Sequence, residues 1–292
     1  MCARKKKMIY DQDKWLKPYK DVIDRRHEMI LDLKERMSVD GSLSKGMNNH
    51  MYYGLHKDGA GNWIFREWAP NATKIYLIGD FNNWRRTEAY ALKPIGGGNW
   101  EIVLDGMFLS HGTLYKLFIE WKGGGAERLP AYLTRAVQDP HTKQFCAQVW
   151  DPAQPYEWKH KTPGKRPHPL IYECHIGMAS EEEKVGTFEE FRLNVLPKVA
   201  DLGYDTLQIM ALQEHPYYGS FGYQVANFYA LSSRFGTPEE FKALVDEAHS
   251  LGIAVVMDIV HSHSVDNEAE GLGLFDGKET LYFYDGWQGH HP

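Results

Sequence analysis

The 292-residue sequence predicts a multidomain chain: an amino-terminal helix, an immunoglobulin-like all-β sandwich, and a parallel β/α segment. Three observations predict it. Apolar residues recur at three- and four-residue steps from Lys14 to Met37. Short strand-like segments separated by glycine-rich turns fill about residues 50 to 150. Beyond a proline-rich stretch, strand and helix patterns alternate. The length agrees, since a domain takes about 150 residues. With 43% hydrophobic and 25% charged residues the chain sits near the globular average, which argues against disorder or a fibrous repeat.

Taken in order, Trp15, Leu16, Tyr19, Val22, Ile23, Met29, Ile30, Leu33 and Met37 make one stripe of an amphipathic helix interleaved with charges. It stops at the Gly-Ser-rich Asp40 to Gly46. Asn62 to Trp68, Lys74 to Ile78, Trp100 to Leu104 and Leu114 to Trp121 then read as strands of a small antiparallel sandwich. Glycines 96–98 and 123–125 punctuate them, and neither run is followed by the Lys-Ser/Thr of a phosphate loop. From Trp150 to Pro169 repeated prolines interrupt regular structure, which predicts a linker. After it come a buried strand at Leu170–His175, a helix at Thr187–Leu202 and a strand at Thr206–Leu212. A long loop, a helix at Pro238–Leu251 capped by Thr237 and a strand at Ile253–Ile259 complete the series. Both helices end at a glycine, Gly203 and Gly252, as αβ connections require. The organisation expected is a leader over 1–45, a sandwich over 46–150, a linker over 151–168 and a βαβαβ segment over 169–292. Three strands in about 120 residues are too few to close a barrel, which takes about 250.

A net charge of −6 removes the basic excess that nucleic acid or anionic lipid would attract, so no nucleic-acid partner is expected. Cys2, Cys146 and Cys174 are odd in number and widely spaced, which indicates neither a disulfide framework nor a cysteine zinc site and fits a cytoplasmic location. The basic run near the start has no apolar segment behind it, and no stretch of about 18 apolar residues occurs, so neither a signal peptide nor a membrane span is expected. Aromatic residues reach 13%, and their flat faces suit both core packing and sugar rings.

Ligand sites of parallel α/β sheets lie at the carboxyl ends of the strands. That places the candidates in Gln213–Gln224 and Met257–His263: Glu214, His215, Tyr223, Asp258, His261 and His263. His261 and His263 with Asp258 could ligate a metal, but an i, i+2 pair on a strand end sends one side chain away. Asp258 alone fits either a buried structural carboxylate or an orienting group.

The run Ile64-Phe-Arg-Glu-Trp-Ala-Pro-Asn-Ala72 followed by Ile78-Gly-Asp-Phe-Asn-Asn-Trp84 resembles the signature of family 48 carbohydrate-binding modules. Glu214-His-Pro-Tyr-Tyr through Ala230, with Ser232-Ser-Arg-Phe-Gly-Thr-Pro-Glu-Glu240, resembles the second-strand region of eukaryotic-type 1,4-α-glucan (glycogen or starch) branching enzymes. Asp258-Ile-Val-His-Ser-His263 is similar to their first motif within glycoside hydrolase family 13. Asp13-Lys-Trp-Leu-Lys-Pro-Tyr19 and Asp24-Arg-Arg26 resemble their helical leader. The resemblance runs nearly end to end and implies that the βαβαβ segment is the first three units of an incomplete (β/α)8 TIM barrel.

It also implies roles. Tyr223 would stack on the sugar next to the cleaved bond, His263 would hydrogen-bond that sugar, and Asp258 would orient the site, pairing with an arginine of a fourth strand. Trp68 and Pro70 would meet glucan in the first domain, while Phe81 and Trp84 pack. Ser262 stands where many amylases carry a calcium-supporting asparagine, so neither a metal nor another cofactor is implied. The family's nucleophile and acid/base follow its fourth and fifth strands and are expected beyond Pro292. Asp276 and Glu279 read as solvated loop acids, and Glu173 lies within a strand. The activity implied is cleavage of α-1,4-glucan (glycogen, amylose) and transfer to a 6-hydroxyl. The 292-residue chain is expected to be inactive alone, with the remainder of the barrel in the same or another polypeptide. The rivals are a non-catalytic glucan-binding or scaffold protein, and a debranching or amylase-type hydrolase.

Overall fold

The computed structural model describes residues 7–284. They form two compact units, divided after Met51. In the first, α1 (Ile9–Gln12) is followed by a 3-10 turn over Lys14–Tyr19, then α2 (Lys20–Met37), α3 (Leu43–Gly46) and α4 (Asn49–Tyr52), which crosses the division. The single helix expected from Lys14 therefore begins six residues later. Asp13 caps the tighter turn by accepting from the Trp15 amide at 2.9 Å, and Pro18 within it has no amide to donate. No residue of α2 is buried.

The second unit opens with nine strands: β1 (Gly54–Lys57), β2 (Trp63–Trp68), β3 (Ala72–Gly79), β4 (Lys93–Gly96), β5 (Asn99–Leu104), β6 (Leu114–Trp121), β7 (Gly124–Arg128), β8 (Ala136–Gln138) and β9 (Phe145–Gln148). They pair in two sheets, β1-β2-β5-β4 and β3-β6-β9-β8, with β7 alongside β6. Every pairing is antiparallel. Alternate residues of β2 are buried, Trp63, Phe65 and Glu67, as a strand covered on one face requires. Phe65 and Ile102 from one sheet share a core with Leu77, Leu117 and Phe145 of the other, which makes the sandwich expected from the sequence. Phe81 packs against that core and Trp84 is half-buried.

Residues 151–168 form no helix or strand, yet they are not loose. Asp246 accepts from the backbone amides of Lys159 and His160, the latter at 2.8 Å, and from the Tyr156 hydroxyl at 2.9 Å. Beyond them lie β10 (Ile171–Cys174), α5 (Phe188–Asn194), α6 (Leu196–Asp201), β11 (Thr206–Ile209), β12 (Gln213–Glu214), β13 (Asn227–Leu231), α7 (Pro238–Ser250) and β14 (Ala254–Met257). The order β10-β11-β14 is parallel, the topology expected. Thr187 and Thr237 both form reciprocal capping boxes with the glutamate three residues on, each cap contributing about 1 kcal/mol. The helix expected over Thr187–Leu202 is broken at Val195, because Pro197 lacks the amide that would continue the ladder.

Two expectations are corrected. β10 is not a buried strand: Ile171 and Glu173 are exposed, while Tyr172 and Cys174 pack under the helices. Helices cover one sheet face only, so Ile171 and Val256, each 46% exposed, stand on the open one. No closed barrel exists among the described residues. Asp276 is not a solvated loop acid: it is fully buried and accepts from both the amide and the side-chain nitrogen of Asn71 at 2.9 Å. With Phe275 and Ala230 buried in the sandwich core, and Arg135 donating to the Gly236 carbonyl at 2.7 Å, the sandwich and the parallel segment are continuous in packing.

Candidate functional site

At the carboxyl end of the parallel sheet the register aligns Glu173, Gln208 and Val256 across the three strands, with Asp258 just past β14. Gln208 donates its side-chain amide to Glu173 Oε1 at 3.2 Å and to Asp258 Oδ1 at 3.3 Å. The other Asp258 oxygen accepts from the Tyr223 hydroxyl at 3.0 Å. A polar line Glu173–Gln208–Asp258–Tyr223 therefore crosses the sheet. Burial and the bond to Asp258 both raise the Tyr223 phenol above its ordinary value, so it stays protonated as a donor. Among the described residues no arginine pairs with Asp258; its side-chain partners there are Gln208 and Tyr223.

The long loop that carries Tyr223 is built on a ribbon, β12 against β13, that the sequence pattern did not disclose. Its knot is Glu214. That fully buried carboxylate accepts from the Ser232 hydroxyl at 2.8 Å, the Ser233 amide at 2.7 Å, the Ser233 hydroxyl at 3.0 Å and Arg234 at 3.3 Å. Burial raises its pKa against the pull of those donors. Glu214 and His215, candidates by position, are thus fully buried supports of the loop. Gly222, with φ of +88°, lies so close to Ala211 that a Cβ would stand 2.1 Å from the Ala211 carbonyl oxygen. Only glycine lets the loop press there and bring Tyr223 over the strand ends.

The two histidines diverge. His261 is exposed and lies against Phe228, ring centres 5.7 Å apart. His263 is half-buried, its Nε2 against the Tyr223 carbonyl and its Nδ1 2.8 Å from the Ser262 hydroxyl. A carbonyl only accepts, so Nε2 donates its proton to it. Both ring nitrogens are thereby engaged by protein. No group of three or more His, Cys, Asp or Glu side chains able to hold a metal occurs among the described residues.

In the sandwich, Trp68 is half-buried, donates its indole N–H to the Gly97 carbonyl at 3.2 Å, and meets Tyr282 edge-to-face at 6.1 Å. Pro70 is exposed beside the same turn. Gln208 and Tyr282 are the residues that sequence reasoning missed. A polar glutamine within the apolar Thr206–Leu212 run was a readable signal; nothing in the sequence linked Tyr282 to Trp68.

An antiparallel sandwich is thus packed onto a parallel β/α sheet, with aromatic and acidic side chains at the strand ends. Family models agree: carbohydrate-binding module 48 (isoamylase N-terminal domain) matches residues 52–140, and the α-amylase catalytic domain matches residues 180–273. The chain is 41% identical over 98% of its length to a 1,4-alpha-glucan-branching enzyme of Dictyostelium discoideum, covering 43% of that protein. It is 38% identical over 97% of its length to that of Equus caballus, covering 41%. Among solved structures it resembles a putative alpha amylase from Salmonella typhimurium, with a TM-score of 0.66, 25% identity, and coverage of 81% of this chain and 38% of that one. A pullulanase from Bacillus acidopullulyticus shares the fold at a TM-score of 0.65 and 18% identity, over 82% and 33% of the two chains. The chain is similar to the 1,4-α-glucan-branching enzymes, and it spans about two fifths of the length of the curated relatives it matches.

Proposed function

We propose that this chain carries the glucan-binding and substrate-positioning part of an α-glucan branching enzyme. Such an enzyme cuts an α-1,4-linked chain, holds it as a glycosyl-enzyme and transfers it to a 6-hydroxyl as an α-1,6 branch. The observation that carries the reading is the hydrogen-bonded Tyr223–Asp258 pair at the carboxyl ends of the parallel strands, in a chain whose sandwich matches a carbohydrate-binding module. The flat Tyr223 ring suits the apolar face of a glucose unit, and its bond to Asp258 holds the ring in place. Asp258 orients the site. His263 donates its Nε2–H to the sugar by exchanging its carbonyl partner. Trp68 and Pro70 hold glucan on the sandwich. The boundaries at 45, 150 and 168 delimit leader, module and linker, and the location is cytoplasmic.

Retaining transfer needs two carboxyl groups about 5–5.5 Å apart, one as nucleophile and one as acid/base. Glu173 and Asp258 are both tied up by Gln208, which fits them for positioning rather than attack. The catalytic carboxylates then come from the polypeptide that covers the open sheet face, where Ile171 and Val256 are exposed. Further strands paired beside β10 and β14 would also remove two sheet edges. Transfer over hydrolysis requires an acceptor glucan to outcompete water, which a long binding surface favours.

The test is to incubate the purified 292-residue protein with amylose and measure its retention on a glycogen gel. We expect retention, weakened by Trp68→Ala, and no α-1,6 linkages. Branches formed by this chain alone would overturn the placement of the carboxylates elsewhere. Passage through the glycogen gel unretarded would overturn the glucan reading itself.

A further inference from the structure

The loop that carries Tyr223 closes over two buried imidazoles, and among the described residues neither is paired with a carboxylate. His175 follows β10 and His215 follows β12, and both lie against Phe235, with ring centres at 5.5 and 6.3 Å. His175 is 8% exposed, and neither of its ring nitrogens has a hydrogen-bond partner. Its cage is aromatic: Phe221 at 5.4 Å, Tyr218 at 6.0 Å and Phe235 all meet it edge-to-face. Gly177 completes the cage, since a Cβ there would stand 2.6 Å from the Tyr218 hydroxyl and 3.2 Å from His175 Cε1. His215 is fully buried. Its Nδ1 donates to the Gln213 carbonyl at 2.9 Å, and its Nε2 has no partner.

We propose that His175 is the trigger of an acid-released latch: the Tyr223 loop is closed while this imidazole is neutral and opens when the ring takes a second proton. The latch works whatever the loop binds. In the closed loop a cationic His175 has no acceptor for either N–H, and a buried charge without a partner loses its hydration with nothing in return. Aromatic rings attract a cation, but far less than that lost hydration. The surrounding charges act in the same direction. His215 repels a charged His175, and Arg234, which donates to the His215 and Pro216 carbonyls, repels a charged His215. Burial first, and these neighbours second, hold His175 below the ordinary histidine value of 6.5. The open loop therefore takes a proton that the closed loop refuses, and closure is lost as pH falls below about 6.5. Glu214 acts in the opposite sense, because burial raises its carboxyl and the closed loop keeps a proton that the open one releases. The Tyr218 phenol is raised and stays protonated over this range. Opening requires little movement. Phe221 is 40% exposed and is a bulky residue held at a left-handed φ of +54°, so the closed loop is strained where the cage meets water. Lifting it wets His175 and carries Tyr223, two residues further on, away from Asp258.

The test compares amide hydrogen exchange over residues 217–224 in the 292-residue protein and in His175→Phe, which fills the aromatic cage with a ring that cannot be charged. Both proteins are measured at pH 7.5 and pH 5.5, and the ratio of their rates at each pH cancels the intrinsic pH dependence of exchange. His215, Glu214 and His263, which holds the Tyr223 carbonyl, are common to both and cancel as well. A group charged only in the open state favours opening about tenfold per unit below its ordinary value, so the parent should lose about tenfold in protection relative to His175→Phe between the two conditions. Parallel profiles would overturn the latch. A second measurement needs no variant and decides the matter should His175→Phe fail to fold: the Cε1–H resonance of His175, followed from pH 8 to pH 5 by NMR. In a latch the ring stays neutral below pH 6.5 for as long as the loop signals remain those of the closed form. A His175 ring that titrates at 6.5 or above with the loop still closed shows that the cage accepts an imidazolium, and the latch is then wrong.

Discussion

Stability should fall as pH rises from about 4.5 to about 7 because of one residue of β2. Glu67 points into the sandwich core with no exposure to solvent, and accepts only two hydrogen bonds, from the Trp68 and Ala131 amides at 2.9 Å each. Both donors are neutral, so burial dominates and pushes the carboxyl up to about 7 from an ordinary 4.5. The folded protein therefore keeps this proton over the interval in which the unfolded chain has released it. A carboxyl raised on folding contributes stability that is fully present below the unfolded pKa and is lost as pH climbs through the folded one. At about 1.4 kcal/mol per unit, the loss between pH 4.5 and pH 7 is about 3 kcal/mol, after which the dependence flattens. Glu67→Gln is neutral throughout and abolishes this component. The assay is amide hydrogen exchange of β2 and β5 as a function of pH, read locally because a multidomain chain need not unfold in one step. Relative to Glu67→Gln, the parent should lose protection across that interval. Parallel pH profiles for the two proteins would refute the buried-carboxylate account.

Two further outcomes are expected. Glu214→Ala leaves Arg234 and two serines facing a void where their carboxylate stood, and should cost about 3–5 kcal/mol, measured by urea unfolding, with faster exchange across residues 213–233; a loss below about 1 kcal/mol would show that the knot is not what holds the loop. Asp246→Ala removes the acceptor of the Lys159 and His160 amides, so limited trypsin digestion should cut at Lys159 and Lys161 many-fold faster, and an unchanged digest would mean that the linker is held by other contacts.

How much was legible in the sequence differs between elements for identifiable reasons. Local signals carried well. The Thr237 cap, the glycines after α6 and α7 and the strand-helix order all arise from interactions within a few residues, and each appears in the structure. The break at Val195 was also local, since Pro197 was in plain view. Less readable was exposure. The apolar run at Leu170–His175 looks buried on both faces because barrel strands are, whereas Ile171 stands on an open face when only three strands are present.

What the sequence by itself determined is the order of elements and the family that the residues of the strand ends resemble, because periodicity, caps and motifs are written in neighbouring positions. Only the tertiary structure decided which acids do what. Asp276 is buried on Asn71, 205 residues away in sequence, Glu214 is sealed under the loop, and Asp258 is joined to Gln208 of the neighbouring strand and Tyr223 of the loop. The charge state and contacts of a carboxylate depend on how much water is excluded around it and on which donors the fold brings to it from distant positions, and neither quantity is encoded in its neighbours along the chain.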